Sequence, residues 1–495
     1  MHLAPPATVE PRTRSATEPS ALAHSRATVV LVCVGMFMTT LDASIVNIGL
    51  PTIAHAFGTS LGGAVEWVII GYLVVIASLL LTIGRLSDMV GRPRIWMAGL
   101  AVFTVGSAVC GAAPSLALLI AARGLQGVGA ALILATSTAI LTDAVGPAQR
   151  GRALGWSAVA IAFGVSTGPT IGGLLTEYLS WRWIFYVNLP IGLGALGIAH
   201  RLLPRDARRT RVRFDVPGAL LLAVGVAALN LGVSFGSTWG WRSARLLGTM
   251  ALGVGALAAA VAIERRTTAP AMDVHLVRNR VFVSALASMV FSMMALFAVG
   301  FLLPFYFEEL RGYSSARAGV LLTPFAITVG VVAPVAGTMA DRYGSRWLAP
   351  LGLAIATVGL LLLARLEPAS AIADVAWRLV VVGFGQGLFQ SPNTRALMSA
   401  APAAEQGEAS GLLAMARVSG QALSVGVAGA VFTSLGGAAA GNTLLSARTH
   451  AQQLGAAERA ALRDTFIHAF HDAFILCAAF AAAGALTALV RGREH

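Results

Sequence analysis

Lysine does not occur anywhere in this chain, so each of its 35 lysine-or-arginine positions is an arginine. A nucleotide-binding P-loop needs a lysine that reaches the phosphates, and Schiff-base chemistry needs a lysine amine. The sequence therefore excludes both kinds of site. ATP is not expected as a direct energy source, unless a separate subunit supplies it.

Charge and cysteine are also scarce. Charged residues make up 12% of the chain and hydrophobic residues 57%, whereas soluble domains carry about 25% charged residues. The three cysteines, Cys33, Cys110 and Cys477, lie far apart in apolar runs. The sequence therefore predicts neither a disulfide framework nor a metal cluster, and no cofactor.

Continuous apolar runs fill the rest of the chain. Runs of roughly 20 residues can cross a bilayer as helices, and their lack of period-two alternation argues against a β-barrel. We therefore predict an all-α polytopic membrane protein with a polar tail at 1–27 and a retained first helix. The predicted spans are 28–50, 66–86, 94–112, 116–141, 152–176, 183–203, 217–235, 246–263, 281–307, 317–340, 348–366, 374–398, 408–434 and 467–490.

The arginines indicate orientation. A formal charge of +13 would suggest nucleic acid as a partner of a soluble protein,. Here the arginines gather in connections on one side of the spans, as at 201–213, and the connections after spans 1 and 3 hold none. The positive-inside rule then predicts that both termini lie in the cytoplasm, with no nucleic-acid partner. A chain rich in alanine, glycine and arginine and without lysine suggests a GC-rich bacterial genome, so we expect a bacterial inner membrane.

An internal repeat predicts the architecture. Gly84, Asp88 and Gly91 recur as Gly337, Asp341 and Gly344 at an offset of 253 residues. Three further matches follow in order: Pro51 with Pro304, Gln126 with Gln386, and Ala148 with Ala404. Spans 1–6 thus correspond to spans 9–14, in two parallel halves at 28–203 and 281–490, with two inserted helices and linkers at 204–280 and a tail at 491–495. Two such halves are typical of a transporter with its substrate site between them.

Five ordered motifs carry a family resemblance. The stretches are LDASIVNIGLP (Leu41–Pro51), GRLSDMVGRPR (Gly84–Arg94), LIAARGLQGVGAA (Leu119–Ala131), GVSTGPTIGG (Gly164–Gly173) and WRWIFYVNLPIG (Trp181–Gly192). They resemble the major facilitator superfamily, and within it the fourteen-helix drug:proton antiporter family. The resemblance implies export of drug-like molecules driven by protons, and makes helices 1 and 4 neighbours that line the cavity.

Asp42 and Arg123 are the predicted proton-coupling pair. A charge this deep in a span costs at least about 2.5 kcal/mol and asks for a partner or a function. At about 1.5 Å per residue the two residues lie at similar depth in spans 1 and 4, which run in opposite directions. Burial disfavours a charged carboxyl and a neighbouring arginine favours it, so a balanced Asp42 could take up and release a proton. The alternative is that the pair only holds two helices together.

Two further groups are candidate moving parts. Asp88, Arg92, Asp341 and Arg342 are predicted to gate the cytoplasmic ends of the halves, the alternative being turns with a capping aspartate. The second group is a small-residue face in span 5, which is predicted to act as a hinge that seals the cytoplasmic half or, alternatively, to pack closely against a neighbour. Its members are Gly164, Gly168, Pro169, Gly172 and Gly173.

The substrate cavity is predicted to hold polar and aromatic side chains, with core packing as the alternative for most of them. The candidates are Asn47, Gln126, Phe297, Gln386, Phe389 and Arg417. Glu66, Glu177, Glu308, Glu309 and Asp374 fall at predicted outer helix ends. The interior then offers essentially one carboxylate, which favours neutral or singly charged lipophilic substrates over dications.

Together these features predict a non-enzymatic secondary transporter that exports small lipophilic compounds, such as drugs or antibiotics, against an inward flow of protons. It would act as a monomer in the lipid bilayer. Two alternatives remain open: a symporter that imports a small nutrient or metabolite, and a membrane-embedded transferase.

Overall fold

The computed structural model is mostly helical in the part of the chain that it describes. No strand occurs in that part, which comprises residues 18–59, 64–145, 149–203, 216–240, 242–264, 276, 278–402, 406–449 and 454–491. Thirteen helices within it are long and apolar enough to cross a membrane, and the shorter apolar helix Leu348–Leu363 supplies a fourteenth span. The predicted all-α polytopic fold is therefore confirmed.

The first half and the inserted pair contain nine helices in the described residues. They are α1 (Glu18–Ala56), α2 (Trp67–Val90), α3 (Arg92–Ala112), α4 (Leu116–Ala144), α5 (Arg150–Tyr178), α6 (Trp183–Tyr186), α7 (Asn188–Leu202), α8 (Val216–Trp239) and α9 (Ala244–Glu264). Predicted span 6 is thus divided at Val187 into a single turn, α6, and the longer α7.

The second half contains seven helices in the described residues. They are α10 (Arg280–Phe305), α11 (Ser315–Tyr343), α12 (Leu348–Leu363), α13 (Ile372–Ser399), α14 (Gln406–Ser434), α15 (Gly437–Thr449) and α16 (Ala456–Leu489). A π-helical turn, Tyr306–Leu310, continues α10. The sequence missed α15, because its 13 residues are too few to span a bilayer,.

Close contacts at glycines show that equivalent helix pairs pack in the same way in the two halves. A Cβ at Gly99 would lie 3.0 Å from the Gly129 carbonyl oxygen, and a Cβ at Gly352 would lie 2.7 Å from that of Gly385. The α3–α4 pair therefore corresponds to the α12–α13 pair. Gly99 and Gly352 are 253 residues apart, as predicted, whereas Gly129 and Gly385 are 256 residues apart.

This packing corrects one element of the predicted repeat. Gly106 packs against Gln126, and its equivalent, Gly359, packs against Val382. The matching of Gln126 with Gln386 is therefore wrong by about one helical turn. Because the dipeptide Gln-Gly lies one turn further along α13, it falls on nearly the same helix face and gives a misleading match.

The two inserted helices form a pair beside the first half. Within it, a Cβ at Gly253 of α9 would lie 2.8 Å from the Leu229 side chain of α8. The Thr82 hydroxyl of α2 donates to the Ala219 carbonyl of α8 at 3.2 Å, and Gly426 of α14 packs on Ser234 of α8. The pair therefore flanks the line where α2 meets α14.

Candidate functional site

Asp42 of α1 and Arg123 of α4 form an ion pair inside the first half. The distance from Arg123 Nη1 to Asp42 Oδ2 is 2.6 Å, and the exposed fractions of the two side chains are 1% and 0%. Arg123 Nε also donates to the Val68 carbonyl of α2 at 2.8 Å. The pair that the sequence placed at a common depth is thus in direct contact.

Two amide side chains complete the surroundings of the carboxylate. Gln126 Nε2 and Asn188 Nδ2 donate to Asp42 Oδ1 at 2.8 and 2.9 Å. Gln126 Oε1 accepts from Arg123 Nη1 at 2.7 Å. Gln126 is completely buried, so the structure assigns it to the ion pair and not to an open cavity wall.

Sequence reasoning missed Asn188. It is the first residue of α7, immediately after the break at Val187, and its Nδ2 also donates to Ser107 Oγ at 3.1 Å. Ser107 in turn donates to the Phe185 carbonyl at 2.7 Å. The available signal was the stretch Trp181–Gly192, which contains an asparagine among apolar residues.

Tyr72 of α2 closes the site on another side. Its ring centroid lies 3.9 Å from the guanidinium carbon of Arg123, a cation–π arrangement that is favourable where water is excluded. Its hydroxyl donates to the Thr39 carbonyl at 3.3 Å. Both oxygens of the Asp42 carboxylate therefore accept hydrogen bonds, and the site is shielded from solvent in this conformation.

The second half has no equivalent pair. Matching Gln126 with Gln386 would place Arg123 on Gly383. The offset of 256 residues seen in the packing of α4 and α13 instead places Arg123 on Leu379. Asp42 corresponds to Ala295 at the offset of 253 residues. Leu379 and Ala295 are both completely buried. The Asp42–Arg123 pair thus has no counterpart at the equivalent positions of the second half, as the sequence indicated.

The predicted cavity residues divide into two groups. Phe389 is completely buried in the core of the second half, so in this conformation it takes part in core packing, and its assignment to the cavity stays a prediction. Gln386 is also buried and accepts a hydrogen bond from Ser292 Oγ at 3.0 Å. In this conformation both side chains are packed inside the second half and do not face an open cavity.

The other candidates are incompletely buried or have polar atoms without a hydrogen-bond partner among the described residues. Asn47 of α1 is buried, its Oδ1 has no hydrogen-bond partner among the residues described, and a Cβ at Gly300 of α10 would lie 3.5 Å from its Nδ2. Phe297 and Arg417 are half-buried, and the buried Nε of Arg417 has no hydrogen-bond partner in the described structure. These three remain candidate substrate contacts.

Of the predicted gate, the structure describes the arginine side chains. Arg92 Nη1 forms an ion pair with Asp143 Oδ2 of α4 at 2.7 Å, and Arg342 is exposed. The side chains of Asp88 and Asp341 lie outside the described residues. The contact of Arg92 with α4 joins two helices of the same half, and the gate stays a prediction.

The small-residue face of α5 packs on two different helices. A Cβ at Gly164 would lie 2.8 Å from the Phe37 carbonyl of α1, and one at Gly172 would lie 2.8 Å from the Ile45 carbonyl. Gly168 packs on Ser44 between them, whereas Gly173 faces α11. Because α5 runs unbroken from Arg150 to Tyr178, this geometry supports close packing, and the hinge stays a prediction.

We expect Gly168→Ala to destabilise the protein by about 1–3 kcal/mol, because its Cβ would overlap the Ser44 side chain and force α1 and α5 apart,. The matched control is Gly155→Ala on the same helix, where nothing lies within 4 Å of the added atom. Thermal unfolding in detergent measures the effect. Equal melting temperatures for both variants would contradict this assignment.

The two halves also meet along α5 and α11, a contact that we call the α5–α11 seam. Thr170 Oγ1 lies 2.9 Å from Thr323 Oγ1, and the Ala316 N–H donates to Glu177 Oε2 at 2.9 Å. These residues lie at one end of the bundle, the end predicted to face outward. The seam is therefore closed at the predicted outer end.

The halves meet a second time along α2 and α14. A Cβ at Gly429 would lie 2.7 Å from Glu66 Oε1 near the predicted outer end, and a Cβ at Gly411 would lie 3.4 Å from Leu81 near the other end. This second contact therefore extends along most of both helices.

Comparison with known proteins gives consistent matches. Residues 32–425 match the model of the Major Facilitator Superfamily. The chain is 36% identical over 412 residues to the multidrug resistance protein Stp of Mycobacterium tuberculosis, a match covering 82% of this chain and 76% of that protein. It is 33% identical over 392 residues to the riboflavin transporter RibZ of Clostridioides difficile, with coverage of 79% and 84%.

A solved structure has the same fold. It is a bacterial homologue of the human lysosomal transporter Spinster in an inward-facing and unoccupied conformation. The two structures superpose with a TM-score of 0.65, covering 95% of this chain and 99% of the other, at 16% sequence identity. This likeness concerns the arrangement of the helices alone.

Proposed function

This chain belongs to the Major Facilitator Superfamily and is a multi-pass membrane transporter, and we propose that it exports small lipophilic compounds in exchange for protons. The substrates would be of the drug or antibiotic class, and the chain would belong to the fourteen-helix drug:proton antiporter branch. Transport would proceed by alternating access, as a monomer in a bacterial inner membrane with both termini in the cytoplasm. The proton gradient would supply the energy, with no cofactor.

The observation that carries this proposal is the buried Asp42–Arg123 pair. An ionisable residue within a membrane span is a functional candidate because its burial is unfavourable without a role. Its carboxylate is stabilised in the charged form by one guanidinium and two amides. A rearrangement that removes these donors would favour proton uptake, and the reverse rearrangement would favour release.

The α5–α11 seam offers a moving part for the cycle. In the proposed cycle, the state in which the α5–α11 contacts close the predicted outer end would accept a compound from the cytoplasm. Opening that end while the other closes would release the compound outside. The similarity to a multidrug resistance protein supports export.

A second candidate function has its own support. The similarity to a riboflavin transporter favours movement of a vitamin or other metabolite. The buried Asn47 and the half-buried Arg417 offer hydrogen-bonding groups that a polar ring system could use. A proton symporter for such a molecule is therefore the alternative.

We expect proton antiport in inverted membrane vesicles whose lumen is acidified by respiration. Adding a transported antibiotic to the outside should raise the luminal pH, because one proton leaves the lumen for each molecule of compound that enters. A pH-sensitive dye reports the change, and a panel of lipophilic antibiotics plus riboflavin covers both candidates. Vesicles without the protein are the control.

The two candidates give opposite results. A symporter would raise the luminal pH only when its substrate is loaded inside the vesicles, because compound and proton then leave together. If a compound moves with equal rate after the proton gradient is collapsed by an ionophore, proton coupling is refuted in either form.

A further inference from the structure

A pair of buried acids lies in the π-helical turn that follows α10. Glu308 and Glu309 have exposed fractions of 8% and 5%, although the sequence places them at a predicted outer helix end. Pro304, one turn earlier, lacks a backbone N–H, and π turns occur frequently at functional sites,. The proposed cycle assigns no role to either acid.

The Glu308 side chain lies directly behind the α5–α11 seam. Its Oε2 accepts a hydrogen bond from Ser315 Oγ at 3.0 Å, while its Oε1 has no hydrogen-bond partner among the described residues. Ser315 is the first residue of α11, and its hydroxyl also lies 3.4 Å from Thr52 Oγ1 of α1. A Cβ at Gly173 of α5 would lie 2.9 Å from the Ser315 carbonyl carbon. Closure of the seam therefore covers Glu308.

The charges around Glu308 do not neutralise it. Glu177 of α5 and the adjacent Glu309 are the nearest carboxyls, and Glu177 accepts the Ala316 N–H. Nearby cations have other partners: Arg448 of α15 donates to the Glu309 and Leu310 carbonyls, and Arg311 to Tyr306, Tyr313 and Ser370. Arg317 of α11 stacks on Tyr313, and His55 of α1 is exposed. None of the ion pairs among the described residues includes Glu308.

A buried carboxylate oxygen without a donor strongly disfavours the charged form. The neutral acid fits the closed seam, because protonation removes a charge that no cation compensates. If α5 and α11 separate at the predicted outer end, water reaches Ser315 and Glu308, and the ionised form becomes favourable. Closing the seam and binding a proton are then linked.

We propose that Glu308 is a second proton-binding residue, which takes up a proton from the outside as the α5–α11 seam closes and returns it when the seam opens. The proposal rests on the alternating access and orientation proposed above. Since the closed state binds the extra proton, low external pH favours it, and its advantage is lost as the pH rises. One linked proton changes the ratio of closed to open molecules by at most tenfold per pH unit.

Distance measurement across the seam tests the proposal. Spin labels at Tyr178→Cys and Val320→Cys report its opening, since both positions are exposed. Cys33 is replaced by serine, and the buried Cys110 and Cys477 are kept. Between pH 5 and pH 9 the closed fraction of the parent protein should fall as the pH rises. Glu308→Gln, which resembles the protonated acid, should stay closed throughout.

Glu309→Gln is the matched control. Glu309 is equally buried in the same turn, but a Cβ at Gly441 would overlap its carboxylate, so it faces α15 within the second half and not the seam. This variant should keep the pH dependence. Ser315→Ala is the second variant: removing the donor to Oε2 further disfavours the charged form and should shift the midpoint to higher pH.

Three results would overturn the proposal: a closed fraction that is constant with pH, a Glu308→Gln variant with the parent's pH dependence, or a dependence that disappears when choline replaces sodium. The readout is a distance and not transport. Repeating the titration with Asp42→Asn therefore separates the two ideas, because seam closure should still follow pH through Glu308 even if proton-coupled export proves wrong.

Discussion

Replacing Asp42 by asparagine is expected to abolish concentrative transport. One charge moving down 100 mV provides about 2.3 kcal/mol, which supports roughly fiftyfold accumulation. Without a titratable group in the pair, the accumulation ratio should fall to about one. Uptake of compound by inverted vesicles, at equal abundance of both proteins, measures the ratio.

A stability control is needed because the variant leaves Arg123 without its counter-charge. Removing one partner of a buried pair costs about 3–5 kcal/mol. The double variant Asp42→Asn with Arg123→Gln removes both charges, so it should recover most of the stability without recovering coupling. Asp374→Asn breaks a more exposed ion pair with Arg378, 2.7 Å long, and should leave transport within about twofold.

The double variant decides between the two interpretations of the pair. If Asp42 only holds α1 and α4 together, a neutral and well-folded pair would still accumulate compound against its gradient. Fiftyfold accumulation by this variant would assign proton coupling to another residue.

A disulfide across the α5–α11 seam is expected to stop transport reversibly. Thr170 Oγ1 and Thr323 Oγ1 lie 2.9 Å apart, so cysteines at both positions can reach the sulfur–sulfur distance of about 2.05 Å with a small movement. Oxidation should hold the predicted outer end closed and reduce transport more than tenfold, because the site could then no longer open to the outside. A reducing agent should restore it.

The chain offers a control bridge of the same geometry. Ser288 Oγ and Thr487 Oγ1 also lie 2.9 Å apart, but both belong to the second half. A disulfide between Ser288→Cys and Thr487→Cys should leave transport unchanged, since the halves move as units. Normal transport by the oxidised seam variant, with cross-linking verified by mass spectrometry, would refute opening at this seam.

Part of the fold follows from the sequence alone because the bilayer leaves few choices. Inside lipid every backbone group must be hydrogen-bonded within its own segment, so apolar runs of sufficient length form helices. Fourteen spans, the two halves and the common depth of Asp42 and Arg123 could therefore be inferred by counting residues. A fixed rise per residue converts position in the sequence into depth.

The tertiary structure decided which side chains share a site, since helix faces separated by many residues meet only in the packed bundle. Asn188 completes the Asp42 site because the packed bundle brings the start of α7 against α1. Phe389 enters the core because close-packed glycines bring α12 and α13 together. Glu308 is buried because the π turn carries it beneath Ser315. Depth is a property of one helix, whereas burial and pairing depend on how the neighbouring helices pack around it.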